Sequence, residues 1–215
     1  MIRRYKELSK AQVIMNENEL RLYGPISSNS WYDDDVITSK QVEDAIKDFE
    51  GEEINVRINS PGGDVFESIA ISNTLKNLNA KVNIVVDGLA ASGGSLIAMA
   101  GDTVRMYPNS TMMIHNAWTV AMGNAKELRK YAEDLDVIDS SVRKTYASRF
   151  NGSEEDLISL LDNETYLTAE QCLAYGLIDE IISDDKPEEP KNQVKDIVDK
   201  RVNEENTLFN NLKKM

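Results

Sequence analysis

Strand-like and helix-like hydrophobic periods alternate along most of this chain, and that alternation constrains the fold more than any other feature. Glu19–Tyr23 alternates apolar and polar residues and runs into Gly24-Pro25, the pattern of a strand closed by a turn. After a polar loop over Ser27–Asp35, Thr38 or Ser39 caps a helix carrying Val42, Ala45, Ile46 and Phe49 at helical spacing. Ile54–Ile58 reads as a short strand entering Asn59-Ser60-Pro61-Gly62-Gly63, followed by a helix with Val65, Ile69, Ser72 and Leu75 on one face. Val82–Val86 is the next strand, closed at Asp87-Gly88, and a helix of small residues starts near Ala91. Thr103–Met106 and Met112–Ile114 are two more strands around a Pro108-Asn109 turn. Leu128, Tyr131, Leu135, Ile138, Val142 and Tyr146 mark one long helix between Gly123 and Arg149. Ser153 and Asp156 form a capping-box pattern for a shorter helix, Thr168 caps another, and Leu177–Ile182 is the last core strand. Such alternation gives an α/β class.

The composition changes after Ser183. Ser183–Asn192 is rich in Asp, Glu, Lys and Pro and reads as a linker. Val194, Ile197, Val198, Val202, Leu208 and Leu212 then recur at roughly helical spacing, as in either an amphipathic partner-binding helix or a half-ordered end. The expected organisation is a domain over residues 1–183 and a charged appendage over 184–215.

A net charge of −13 repels phosphate backbones and anionic lipid, so neither a nucleic-acid nor a membrane partner is expected. Met1–Lys10 carries Arg3, Arg4, Lys6 and Lys10 without a following apolar core of signal-peptide length, and the reading is a cytoplasmic chain. The single cysteine, Cys172, excludes an intrachain disulfide and reads as a core residue. One histidine excludes zinc sites built on several histidines, and no phosphate-cradling glycine motif occurs, so no metal and no cofactor are expected. What remains is hydrolytic or acid–base chemistry.

Ser92 follows a strand, opens a helix, and is flanked by Ala90-Ala91 and Gly93-Gly94. Small neighbours allow a sharp turn and close approach of a carbonyl, and a helix start supplies unpaired N–H groups for an oxyanion. The same small residues would also serve simply to pack a helix on a sheet. His115 sits at the end of a strand, where catalytic groups of α/β scaffolds project, or equally at a structural position.

Taken together, Ile58-Asn59-Ser60-Pro61-Gly62-Gly63, Gly88-Leu89-Ala90-Ala91-Ser92, Met113-Ile114-His115-Asn116, Leu167-Thr168-Ala169-Glu170 and Tyr175-Gly176-Leu177-Ile178-Asp179 resemble, in order and spacing, the Clp-type serine proteases (ClpP family). Leu22-Tyr23-Gly24-Pro25-Ile26 and His115-Asn116-Ala117-Trp118-Thr119 look like the phage and prophage branch, the prohead proteases. The resemblance implies a repeated β-β-α spiral with a long handle helix over Gly123–Arg149, and a serine endopeptidase assembled in homo-oligomeric rings. Ser92 matches the nucleophile, His115 the base, and the N–H groups of Gly62 and Gly93 the oxyanion hole. Ser60, Pro61 and Gly63 are expected to offer their segment to an extended peptide by strand addition. The third catalytic position falls on Glu164, two residues before Tyr166, with Asp162 as the alternative acid. Ser95 is expected to pack or hydrogen-bond within its helix, Asp179 to be structural, and Trp31 and Trp118 to contact substrate or another subunit, or to be partly buried.

The branch-like segments imply capsid or scaffold protein as substrate, and the host cytoplasm or the prohead as location. Alternatives are a Clp-like peptidase fed by a host ATPase, a non-proteolytic crotonase-type protein, a binding module with a degenerate site, or a Ser–Lys dyad.

Overall fold

The computed structural model describes residues 11–28 and 36–183. The 184–215 appendage, the basic residues of the first ten positions, and Trp31 lie outside the described residues. No helix among the described residues is long and apolar enough to cross a membrane.

One mixed sheet carries the domain. Its strands are β1 (Gln12–Asn16), β2 (Glu19–Tyr23), β3 (Glu53–Ser60), β4 (Lys81–Ala91), β5 (Thr103–Met106), β6 (Thr111–Ile114), β7 (Thr165–Thr168) and β8 (Glu180–Ile181). β1 pairs antiparallel with β2, while β2, β3, β4, β5 and β8 follow in parallel order. β4 is long enough to hold two partners in succession on one edge. Asn83–Val86 pairs with β5, and Leu89–Ala91 pairs with β6. β6 in turn pairs antiparallel with β7. The sheet therefore forks at β4, and the β6–β7 branch lies at that strand's C-terminal end.

Two differences from the sequence reading concern this fork. Asp87-Gly88 does not close the strand; the β3–β4 register jumps from Ile58↔Val86 to Ser60↔Ala90, so the pair lies in a bulge inside β4. Asn59 Oδ1 fills the bulge by accepting from the Leu89 N–H at 3.2 Å, and a side chain on Gly88 would meet that same oxygen. Leu177–Ile182 contributes only the two residues of β8, because Asp179 turns aside to bond β5.

The helices are α1 (Ser39–Ile46), α2 (Val65–Lys76), α3 (Gly93–Ala98), α4 (Ala125–Ala147), α5 (Glu154–Asp162) and α6 (Ala169–Ala174). Thr38, Asn124, Ser153 and Thr168 close capping boxes at α1, α4, α5 and α6. Leu20, Leu22, Ile54, Val56, Ile58, Val82, Ile84 and Val86 project from alternate strand positions into one continuous core, joined by every residue of α3 except its two glycines and Ser95. Cys172 is wholly buried there, and burial pushes its thiol up to about 12, so it is inert at neutral pH. Arg149 pairs with Asp179, which also accepts from the Val104 N–H, a bracing role for Asp179.

Candidate active site

The fork brings three segments distant in sequence to one edge. Ser92 is the residue after β4 and the N-cap of α3, with φ +53° and ψ −121°. A non-glycine residue rarely occupies such a conformation, and it persists only where its surroundings over-determine it. They do so here. The Ser92 N–H donates to Met113 O at 2.9 Å, and its carbonyl accepts from the Ser95 and Leu96 N–H groups at 2.9 and 3.2 Å. Gly62 packs against this turn so closely that a Cβ there would stand 2.5 Å from Ala91 O and 2.7 Å from Ser92 Cβ.

Because Ala91 pairs with Met113, His115 emerges from the next strand beside Ser92. Its Nε2 lies 2.7 Å from Ser92 Oγ. An imidazole at that distance can take the hydroxyl proton as the oxygen attacks a carbonyl. The antiparallel register Ile114↔Thr165 then sets Glu164 opposite His115, with Glu164 Oε2 3.5 Å from Nδ1. The glutamate side chain is 61% exposed against 11% for the histidine, so this contact is open to water and longer than a formed hydrogen bond. Glu164 itself has φ +47°. Asp162, the last residue of α5, accepts instead from Asn116 Nδ2 at 2.7 Å. The two acids thus have different partners: Glu164 faces the imidazole, and Asp162 braces the segment after it.

Of the two glycines in the Pro61–Gly63 turn, Gly62 donates its N–H to Ser60 Oγ at 3.0 Å. Ile26 takes one edge of this turn, donating to Gly62 O and accepting from the Asp64 N–H, both at 2.9 Å. Backbone groups alternate sides in extended chain, so Gly63 directs its own N–H and C=O to the opposite edge. Neither carries a hydrogen bond among the described residues, and the same holds for the Gly93 N–H. Gly63 N lies 3.4 Å from where a Cβ on Gly93 would sit, so the two donors are neighbours. Ser60, expected to contact substrate, is buried beneath the turn and donates its hydroxyl to Gly24 O at 2.7 Å; it braces the turn from below.

A cleft of about 620 Å³ opens over these groups, with Pro61, Gly62, Gly63, Ser92, Gly93, His115 and Glu164 on its walls. Its remaining lining is mostly apolar, from Phe66, Met113 and Trp118 and from Leu135, Ile138 and Val142 of α4. Trp118 is largely exposed, so of the readings for that residue partial burial is not the one observed.

Sequence reasoning missed two residues beside the site. Asp139 of α4 accepts from the Ala117 N–H at 2.7 Å, fixing the chain two residues past the histidine. Burial raises its pKa, opposed by that N–H and by Arg143. Tyr146 was legible only as an apolar position of α4, yet its hydroxyl is wholly buried and lies 2.7 Å from Ser95 Oγ. The one available signal was a phenol at a core position, which demands a polar partner.

Residues 6–185 match the family model described as Clp protease. Among curated proteins, the chain is 32% identical over 133 residues to the ATP-dependent Clp protease proteolytic subunit of Deinococcus radiodurans. That match covers 61% of this chain and 65% of the relative, so it spans just under two thirds of the relative's length.

Proposed function

The chain belongs to the Clp protease family, and we propose that it is a serine endopeptidase with Ser92 as nucleophile and His115 as general base. The observation that carries this reading is the 2.7 Å contact between His115 Nε2 and Ser92 Oγ, at a serine held with φ +53° on the wall of a cleft. Ser92 Oγ attacks the scissile carbonyl as its proton passes to Nε2. The tetrahedral intermediate collapses by expelling the amine, which takes that proton, and water then hydrolyses the acyl-enzyme along the reverse proton path. Glu164 is the acid that faces Nδ1 and orients the imidazole.

The oxyanion donors are Gly93 and, of the turn glycines, Gly63, because the Gly62 N–H is already engaged by Ser60. Each such donor contributes roughly 3–4 kcal/mol to the transition state. The free edge of Gly63 is the place for an extended peptide to add as a strand.

A fluorophosphonate probe followed by mass spectrometry tests the assignment. Label is expected on Ser92 and nowhere else, and is expected to fall to background in His115→Ala. Label elsewhere, or undiminished label in that variant, overturns the pair, and the second outcome would favour a lysine base.

The substrate we infer is a capsid or scaffold protein cleaved during phage head assembly, without an ATPase, in the prohead or the host cytoplasm. Its support is the prohead-like wording of Leu22–Ile26 and His115–Thr119. A homo-oligomeric ring built through α4 goes with it, supported by the exposure of Leu128, Tyr131 and Val137 along that helix. A second reading, a peptidase fed by a host unfoldase ring, is favoured by the relative's name as the proteolytic subunit of an ATP-dependent protease. Degradation of a folded substrate with and without the host ATPase separates the two.

A further inference from the structure

We propose that Tyr146 is a positioning residue for the Ser92–His115 pair, acting through Ser95 on the backbone that carries both. The proposal rests on the nucleophile and base roles given above.

Three distances define the linkage. Ser95 Oγ lies 2.6 Å from Ser92 O, 2.9 Å from Met113 O and 2.7 Å from the Tyr146 hydroxyl. The buried phenol has Ser95 as the one acceptor recorded for its proton among the described residues, and the two carbonyls only accept, which leaves the single Ser95 proton for one of them. Tyr146 must then be the donor to Ser95. The phenol is wholly buried, and Ser95 is the only partner recorded for it among the described residues. Burial raises the Tyr146 pKa, keeping the hydroxyl protonated for this task.

The two carbonyls are not arbitrary ones. Ser92 O belongs to the nucleophile itself, whose φ of +53° requires bonds on both sides of the residue. Met113 O already accepts the Ser92 N–H, and Met113 lies two residues before His115 on β6. Ser95 Oγ therefore sits within hydrogen-bond reach of both the turn that aims the serine and the strand that aims the histidine, and its one proton holds one of them at a time. Tyr146 orients that hydroxyl from α4, on a separate element. In a chain of donors each bond polarises the next, so losing the phenol weakens the Ser95 contacts as well as its own.

A merely structural tyrosine would secure α4 and leave the chemistry of folded molecules unchanged. Tyr146→Phe in the full chain keeps the ring and deletes only the hydroxyl. Wild type and variant are compared for the rate of fluorophosphonate labelling per labelled site, for kcat and KM on a peptide substrate, and for Tm. Labelling at Ser92 is expected to slow about tenfold, with kcat falling in parallel and KM unchanged. Ser95→Ala is expected to slow labelling at least as much, and Tyr146→Phe is expected to add nothing in that background. If Tyr146→Phe does not fold, Ser95→Ala alone carries the test by the same per-site rate. A per-site rate equal to wild type, or additive losses in the double variant, overturns the proposal. Absence of label on Ser92 in the wild type would instead overturn the nucleophile assignment beneath it.

Discussion

Glu164→Gln measures how much the third residue contributes, and the structure sets the expected size. When His115 takes the serine proton it becomes a cation 3.5 Å from a carboxylate. Opposite unit charges at about 4 Å attract by about 1 kcal/mol in water and about 4 kcal/mol at an effective permittivity of about 20. With 61% of the Glu164 side chain exposed, the pair lies toward the aqueous end. The transition-state loss is then about 1–2 kcal/mol, or a fall in kcat of about 5- to 30-fold. A buried triad aspartate, by contrast, is worth about 10⁴ in kcat. Asp162→Asn is the matched control. Its carboxylate bonds Asn116, and the amide oxygen that replaces it can still accept that bond, so kcat should stay within about threefold of wild type. The assay is steady-state hydrolysis of a peptide ester and a peptide amide, with active sites titrated by the phosphonate. A thousandfold loss in Glu164→Gln would refute the water-exposed geometry as the working one. A larger loss in Asp162→Asn than in Glu164→Gln would refute the choice of acid.

Gly62→Ala places a Cβ 2.5 Å from Ala91 O at a residue with φ +84°, so it must displace the nucleophile turn. It is expected to cost about 3 kcal/mol or more in denaturant unfolding and about 100-fold or more in Ser92 labelling; a wild-type labelling rate would contradict the packing described. Asp139→Asn tests the half-buried carboxylate on Ala117. Burial raises its folded pKa, so its favourable contribution is present below the ordinary carboxylate range and lost as pH rises. Asparagine keeps an acceptor for the Ala117 N–H without the charge, so Tm should rise at pH 7 and the gain should vanish near pH 3; a loss at pH 7 would contradict the sign.

The elements with unshared periodicity were legible. Glu19–Tyr23 and Thr103–Met106 fall where the alternation puts them, and Thr38, Ser153 and Thr168 cap the helices they were expected to cap. The inner face of α2 was read only in part: Ser72 and Leu75 are buried and Val65 and Ile69 pack partly buried against the core, but Ser68 and Ile71 are buried as well. That helix is apolar or small on several faces, so no single stripe identified its inner side. β1 and β7 also escaped notice, since each is short and leaves part of its surface exposed, blurring the contrast between faces. Asp87-Gly88 misled because a bulge and a turn use the same residues. Only the partner strand tells them apart.

The same limit governs the active site. Local context alone left Ser92 and His115 as readily structural as catalytic, and only the order and spacing of the family-like motifs singled them out. The choice between the two acids rests on pairing instead. Glu164 and Asp162 are two residues apart, carry the same charge, and differ in sequence only by a methylene and their distance from Tyr166. Their separation into an imidazole partner and a loop brace follows from the register Ile114↔Thr165, which turns one residue toward His115 and leaves the other at the end of α5. Register in a four-residue strand depends on which faces its neighbours bury, and those neighbours are Met112 and Ile114, about fifty residues upstream. The Ser95–Tyr146 contact has the same character, because a helix period locates Tyr146 on an inner face without saying which hydroxyl it meets. Ordered motifs point to the candidate pair, and long-range pairing decides which groups stand beside it.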